Sequence, residues 1–160
     1  MQNIIRRKLQ FHDLDEVVQD VEQLQAKGYT KTGNWDLAQV CGHLADWMGF
    51  PLDGFPNPGC LIGTALWILR NTIGKRKFRE YLDAGQMPSG KPTMPQTAHP
   101  AGENETAEVN RLKENVRRFK AHRGEVYPSP LFGKMTLEEA TKLQLIHCAH
   151  HLSFLVLRSS

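Results

Sequence analysis

Apolar residues recur at helical spacing through most of the chain, and no run alternates convincingly with the period of two expected of a strand. The first apolar stripe follows Asp13, which with Glu16 resembles a capping box, and it stops at Gly28. Asn34 is a suitable N-cap for a second helix that ends by Pro51. The pattern therefore predicts two helices in this part of the chain and no sheet.

The same spacing predicts further helices downstream. One covers residues 61–82, with a kink or break near Gly74, and the next covers residues 104–122 with a half-exposed apolar face. The last helix begins at Thr136, the first residue of an S/T-x-x-E capping box, and its apolar residues continue to Leu157. Helices with short joints and one long connection indicate an all-α bundle.

The long connection is rich in proline. Residues 86–102 contain four prolines among Ser, Thr and Gly, a composition in which neither a helix nor a central strand is expected. Long connections in compact domains are often lids over a site or disordered segments. We favour a surface loop near the mouth of a site, and the composition leaves both a lid and a disordered segment open.

Size and composition limit the class of protein. The chain has 160 residues, 40% of them hydrophobic, and a net charge of +3, which suits one domain over residues 1–160 and does not favour nucleic-acid binding. The most apolar segment, residues 61–69, is too short to cross a bilayer, and no signal peptide is visible. Three widely spaced cysteines fit a reducing compartment. We expect a cytoplasmic protein without membrane or nucleic-acid partners.

Three histidines carry the most informative pattern. His147 and His151 are four residues apart on the predicted last helix, so both rings can reach one point. His43 in the second helix is placed to add a third nitrogen, and convergent neutral nitrogens bind divalent metals. The alternative is that hydrogen bonds alone satisfy these rings. Cys148 stands where H-E-x-x-H zinc proteases have their glutamate base, which argues against a protease.

Other polar residues surround this pattern. Gln39 and Asp46 lie one turn to either side of His43 and are candidates to orient a ligand ring or a water, although a plain surface carboxylate is the favoured interpretation of Asp46. His150 points about 100° away from His151, and we expect it to hydrogen-bond a ligand, contact another helix or stay exposed rather than bind metal. Further histidines and cysteines are expected outside the site, the histidines at solvent positions: His12, His99, His122, Cys41 and Cys148.

Residues 35–44, residues 131–139 and the run from His147 to His151 together resemble the DinB/YfiT-like superfamily, and more narrowly a branch known as a domain of unknown function. The resemblance covers nearly the whole chain and is weakest in the third helix and the proline-rich loop. It implies a four-helix bundle with up-down-down-up topology. It also implies a zinc or nickel ion held by His43, His147 and His151.

The resemblance leaves the reaction open. Members of the superfamily include S-transferases and isomerases that use low-molecular-weight thiols, and others are described as metal-dependent hydrolases. The resemblance therefore implies a metal-assisted enzyme acting on a small molecule, with a low-molecular-weight thiol as one partner. The catalytic residues are unknown, because no residue of the sequence stands out as the general base.

Two other functions are consistent with the sequence. The chain could be a non-catalytic bundle that binds a metal, a ligand or a partner. It could also bind nucleic acid or phosphate through the basic residues in 70–79 and 111–123, although solvated helix faces explain those charges more simply. Bundles of the resembled superfamily often pair, and Trp67 on the apolar third helix could contribute to a homodimer here.

Overall fold

The computed structural model describes residues 5–57, 59–90, 93–102 and 104–158. This part of the chain is mostly helical, which is compatible with an all-α fold, and it also contains one small antiparallel sheet. Its helices and strands, in chain order, are α1 (Leu14–Lys27), β1 (Tyr29–Lys31), α2 (Leu37–Asp53), α3 (Cys60–Leu69), α4 (Lys75–Ala84), α5 (Glu105–Ala121), α6 (Leu137–Leu152) and β2 (Leu155–Leu157).

Side-chain caps fix where the ligand-bearing helices begin. Helix α6 begins with the predicted capping box, in which Thr136 Oγ1 accepts from the backbone N–H of Glu139 at 3.1 Å. The predicted start of α2 at Asn34 is wrong, because the N-cap is Asp36. The Asp36 carboxylate accepts from the Gln39 N–H at 2.8 Å, and the Gln39 side chain accepts from the Asp36 N–H at 3.1 Å. Two otherwise unpaired donors are satisfied there, which sets the boundary.

The end of α2 lies beyond its proline. Pro51 was expected to stop the helix, but α2 continues through it to Asp53, and Gly54 closes it with an N–H bond to the Phe50 carbonyl. Proline has no N–H for the carbonyl four residues earlier, which belongs to Trp47. That carbonyl accepts instead from Gln144 Nε2 on α6 at 2.7 Å. A side chain of α6 therefore compensates for the proline in α2.

The predicted break near Gly74 is present as a π-helical turn, Arg70–Gly74, between α3 and α4. Gly74 is buried, and a β-carbon there would collide with the backbone carbonyl of Leu131. Helix α3 has no buried residue, and Trp67 in it is 59% exposed. The contribution of Trp67 to a homodimer stays a prediction.

The expectation of no sheet is wrong in one place. Strand β1 pairs antiparallel with β2, with Tyr29 opposite Leu157 and Lys31 opposite Leu155. The last helix correspondingly ends at Leu152 rather than continuing to Leu157. Each strand has three residues, too few for an alternating pattern to be recognised in the sequence.

The main hydrophobic core lies where α1, α2, α5 and α6 contact one another, with α2 and α5 in the most extensive contact. A smaller cluster joins α4 and α6 through Phe78, Leu82 and Ile146. Most of α2 is buried, including His43 and the residues before and after it. Side chains on this helix are therefore held inside the protein and fixed by packing.

The proline-rich connection is packed in its second half. Residues 93–102 include a short 3₁₀ turn, Pro95–Thr97, which contacts α2, and Thr97 is fully buried. Thr97 is the buried residue of this segment, while residues 95, 96, 98 and 100–102 are exposed, so the expected surface loop is present and is anchored on α2 at Thr97. Residues 91 and 92 lie outside the described part. Within the described ranges, no helix is both long and apolar enough to span a membrane.

Candidate metal centre

The three predicted histidines meet in the folded chain. His43 extends from α2, and His147 and His151 extend from successive turns of α6. One ring nitrogen from each residue lies within 4.8 Å of the corresponding nitrogens of the other two. Nε2 of His43 and Nε2 of His147 are 3.1 Å apart, although 104 positions separate the residues in the sequence.

Hydrogen-bond chemistry fixes the proton positions on two of these rings. His43 is 2% exposed, and its Nδ1 lies 3.1 Å from the Thr97 carbonyl oxygen, which can only accept, so Nδ1 donates. In the neutral ring, Nε2 of His43 is then an unprotonated acceptor. The contact with His147 requires a proton on His147 Nε2 when no metal is bound. A cation would replace this proton between two nitrogens already turned towards each other.

Two tryptophans flank the histidines. The Trp35 ring stacks on His151, with centroids 5.6 Å apart and planes 12° apart. The Trp47 ring meets His147 edge-on, with centroids 5.5 Å apart. Both indoles also contact His43, which lies 5.1 Å from Trp35 and 6.2 Å from Trp47 between ring centroids. The imidazoles are therefore held in fixed orientations by flat, rigid side chains.

Burial keeps the three rings neutral. It lowers the pKa of His43 to about 4 and that of His151 to about 2. The pKa of His147 is also lowered well below its ordinary value, first by burial and then by its proximity to His151 and His43. Metals bind imidazole only in its neutral form, so near pH 7 these side chains need not lose an extra proton to become ligands.

The donor set fits a tetrahedral metal such as zinc. Nitrogens 2.0–2.1 Å from zinc at tetrahedral angles lie about 3.3 Å from one another. Nε2 of His43 and Nε2 of His147, 3.1 Å apart, already lie near this spacing, and one nitrogen of each ring lies within 4.8 Å of the other two. Side-chain movements of about 1.5 Å or less bring the remaining nitrogens to that spacing. Three nitrogens also leave a coordination position for a small molecule, as in catalytic sites.

None of the residues predicted to support the ligands forms a hydrogen bond with the three rings in the described part of the chain. Gln39 donates from Nε2 to the His99 carbonyl at 2.8 Å. His150 lies beside Arg6 and the Met87 carbonyl, with its Nδ1 3.3 Å and 3.2 Å away from them. Burial, followed by the charge of Arg6, lowers the pKa of His150. Neither residue reaches the point where the ligand nitrogens converge.

Two expectations about polar residues are wrong. Asp46 is not a plain surface carboxylate, because its oxygens accept from Arg111 at 2.5 Å and contact His99 Nε2 at 2.8 Å. His99 is not at an ordinary solvent position, since its side chain is 18% exposed and packs over Gly42. A single sequence cannot reveal such contacts, because Asp46 and His99 are 53 positions apart.

The cysteines lie outside the group of metal-binding atoms, as expected. Cys41 and Cys148 are both buried. Burial raises the pKa of the Cys148 thiol to about 12 and also raises that of Cys41, so neither thiol provides a thiolate near neutral pH.

The role of the Thr97 carbonyl could not be predicted from the sequence, because it is a backbone group and has no residue signature. The tryptophans beside the histidines were visible only as apolar positions on a helix. A cavity of about 290 Å³ borders the centre, and its walls include His151, Trp35 and Phe154. The centre is therefore open on the His151 side to a molecule of modest size.

Comparison with known proteins identifies a family but no activity. No curated protein and no solved structure matches the chain. A family model described as a protein of unknown function (DUF1569) matches residues 3–158, a range that includes all three histidines. This agrees with the expected domain of unknown function. Because the match extends over nearly the whole sequence, the chain belongs to the DUF1569 family.

Proposed function

We propose that this protein is a metal-dependent enzyme that binds one divalent ion, zinc or nickel, through His43, His147 and His151. The observation that carries the proposal is the convergence of three imidazole nitrogens within 4.8 Å inside the fold. Burying three neutral rings against one another is costly unless their nitrogens find partners, and a shared cation provides one. We further propose that the chain has the four-helix DinB/YfiT-like topology, with α1, α2, α5 and α6 as its helices.

The proposed substrate is a small molecule that enters through the cavity beside His151. The cavity of about 290 Å³ suits a compact metabolite, and Trp35 and Phe154 offer it apolar walls. The proposed reaction is transfer of a low-molecular-weight thiol or a hydrolysis. When bound, zinc or nickel supplies a Lewis acid that makes a water or a thiol more acidic near neutral pH.

The chain's own contribution is to hold the ligands and limit access of water. The Thr97 carbonyl and the two indoles fix the imidazole orientations. Since ligand rings held this way do not have to reorganise, metal binding costs little conformational entropy. Approach from the α2 side is closed because His43 is buried, so a substrate reaches the centre from the His151 side.

Metal analysis of the purified protein tests the proposal directly. We expect one zinc or nickel per chain, and higher thermal stability when either ion is added to chelator-treated protein. His43→Ala, His147→Ala and His151→Ala should each abolish stoichiometric binding. His150→Ala is the matched control, since His150 lies on the same helix next to His151 but outside the donor group, and it should retain the metal.

Absence of stoichiometric metal together with absence of stabilisation would refute the metal site. If the metal is confirmed, a screen with thiol cosubstrates and with hydrolysable esters and amides then tests the enzymatic part.

A non-catalytic metal-binding bundle is the second candidate. The observation that favours it is that, in the described part of the chain, no carboxylate forms a hydrogen bond with the three rings. An enzyme that activates water usually places a proton acceptor within hydrogen-bond reach. Stoichiometric metal with no turnover of any thiol or hydrolysable substrate would support this alternative over the enzyme.

A further inference from the structure

The segment 93–102 supplies the hydrogen-bond partner of a ligand histidine. The Thr97 carbonyl accepts from His43 Nδ1 at 3.1 Å, which leaves His43 Nε2 unprotonated and directed towards His147. A backbone carbonyl is positioned by the path of its segment rather than by the side chain of its residue. Whatever fixes the path of residues 93–102 therefore also fixes the tautomer and orientation of His43.

The segment is attached to α2 on both sides of His43. Gln39 donates to the His99 carbonyl at 2.8 Å, and Asp46 contacts His99 Nε2 at 2.8 Å. Between them the His99 ring lies over Gly42, where an added β-carbon would be 2.9 Å from two ring carbons. Gln39 and Asp46 lie one turn to either side of His43 and share its face of the helix, and Gly42 precedes His43 directly. The helix that carries the ligand thus also carries the attachment points for its hydrogen-bond partner.

Helix α5 completes the attachment. Arg111 donates to Asp46 at 2.5 Å and to the Gly42 carbonyl at 3.0 Å, and it lies 3.4 Å from His99 Nε2. Glu108 balances its charge with a contact at 2.8 Å. Such a network in a half-buried position is costly to build unless its groups are paired. Here Arg111 contacts both Asp46 and His99, and the Gly42 carbonyl and Glu108 hold Arg111 in place.

From these contacts we infer that residues 93–102 form a latch that positions His43 for metal binding, and that His99 is the side chain that fastens it. This inference rests on the metal-binding function proposed above. In it, His99 and Asp46 are positioning residues, which act on the metal through the Thr97 carbonyl and His43 without touching the ion.

The first test measures zinc affinity by competition with a chelator. Outer partners of ligand histidines typically change metal affinity 10- to 100-fold when lost. We expect His99→Ala and Gly42→Ala each to weaken zinc binding by about 10-fold or more. The first variant removes the His99 ring, and the second displaces that ring from its place over residue 42. In a His99→Ala background, Gly42→Ala should have a smaller effect, since the new methyl then has no ring to displace and meets only the end of the Glu108 side chain, at 3.0 Å.

The matched control is Gly49→Ala, also on α2. Its β-carbon would meet Asn115 at 3.2 Å, away from the latch, so zinc affinity should remain within about twofold of the wild type. If Gly42→Ala does not fold, His99→Ala carries the test alone, because it removes atoms. Unchanged affinity in folded His99→Ala would overturn the latch.

The second test needs no metal. Nitrogen-15 NMR of the metal-free protein should show His43 protonated at Nδ1 in the wild type, and a mixture of tautomers in His99→Ala. A mere loss of stability elsewhere would not change this signature. If the wild type binds neither zinc nor nickel but His43 changes tautomer in the variant, the proposed function fails while the latch stands. If zinc binds and the tautomer is unaffected by His99→Ala, the latch fails while the proposed function stands.

Discussion

The contact between Gln144 and the Trp47 carbonyl should couple the energetics of the two ligand helices. Pro51 removes the N–H that would normally bond this carbonyl, and Gln144 Nε2 replaces it at 2.7 Å. Gln144→Leu places an apolar side chain of similar size at a position that is 4% exposed, and it leaves the Trp47 carbonyl without this donor. An unpaired buried acceptor costs about 1–3 kcal/mol, but the same change removes Gln144 Oε1, a buried oxygen with no hydrogen-bond partner in the described part of the chain, so the net destabilisation should be smaller than that cost.

A double-mutant cycle separates this effect from others. Pro51→Ala restores a backbone N–H in α2, so Gln144→Leu should cost little in that background. We therefore expect a coupling free energy of about 1–3 kcal/mol between positions 51 and 144. Urea unfolding of the wild type, both single variants and the double variant, followed by circular dichroism, provides the four stabilities. Additive changes, with a coupling below about 0.5 kcal/mol, would refute the compensation.

Further predictions concern titration and capping. The pKa of His43 is about 4 in the folded metal-free protein against the ordinary 6.5, so the unfolded chain binds more protons between these values. The stability should therefore be complete above about pH 6.5 and decrease as the pH falls; His43 alone gives a loss of about 2 kcal/mol from pH 7 to 5. Urea titrations at both pH values should show a smaller loss in His43→Leu, and an equal loss would contradict the shift. Asp36→Ala should destabilise the fold by about 1 kcal/mol and Asp36→Asn by less, as measured by thermal unfolding; equal effects would argue against the cap.

Features determined by nearby residues were predictable from the sequence. The helical pattern, the Thr136 capping box and the break near Gly74 depend on residues within a turn or two of each other. His147 and His151 were placed on one face by their spacing alone. Their meeting with His43 was a hypothesis drawn from residue type, the predicted helices and family resemblance, and the structure brings the three rings together.

Features that depend on distant parts of the chain were missed or misjudged. His99 was expected at a solvent position in the loop, because nothing near it in the sequence indicates that its ring contacts Asp46 or packs against Gly42. The Thr97 carbonyl has no side-chain signature. Strands β1 and β2 form because residues 29–31 lie beside residues 155–157 in the fold. Three residues in each strand are too few to show a pattern in the sequence.

The separation of His43 from the other two histidines has a consequence for biosynthesis. A ribosome releases the N-terminal part of a chain first, and His147 follows His43 by 104 positions. A nascent polypeptide can therefore present only one of the three imidazoles until α6 has been synthesised. Any ion that needs all three is acquired after α6 has docked on α2, so loading follows the folding of these helices instead of guiding it.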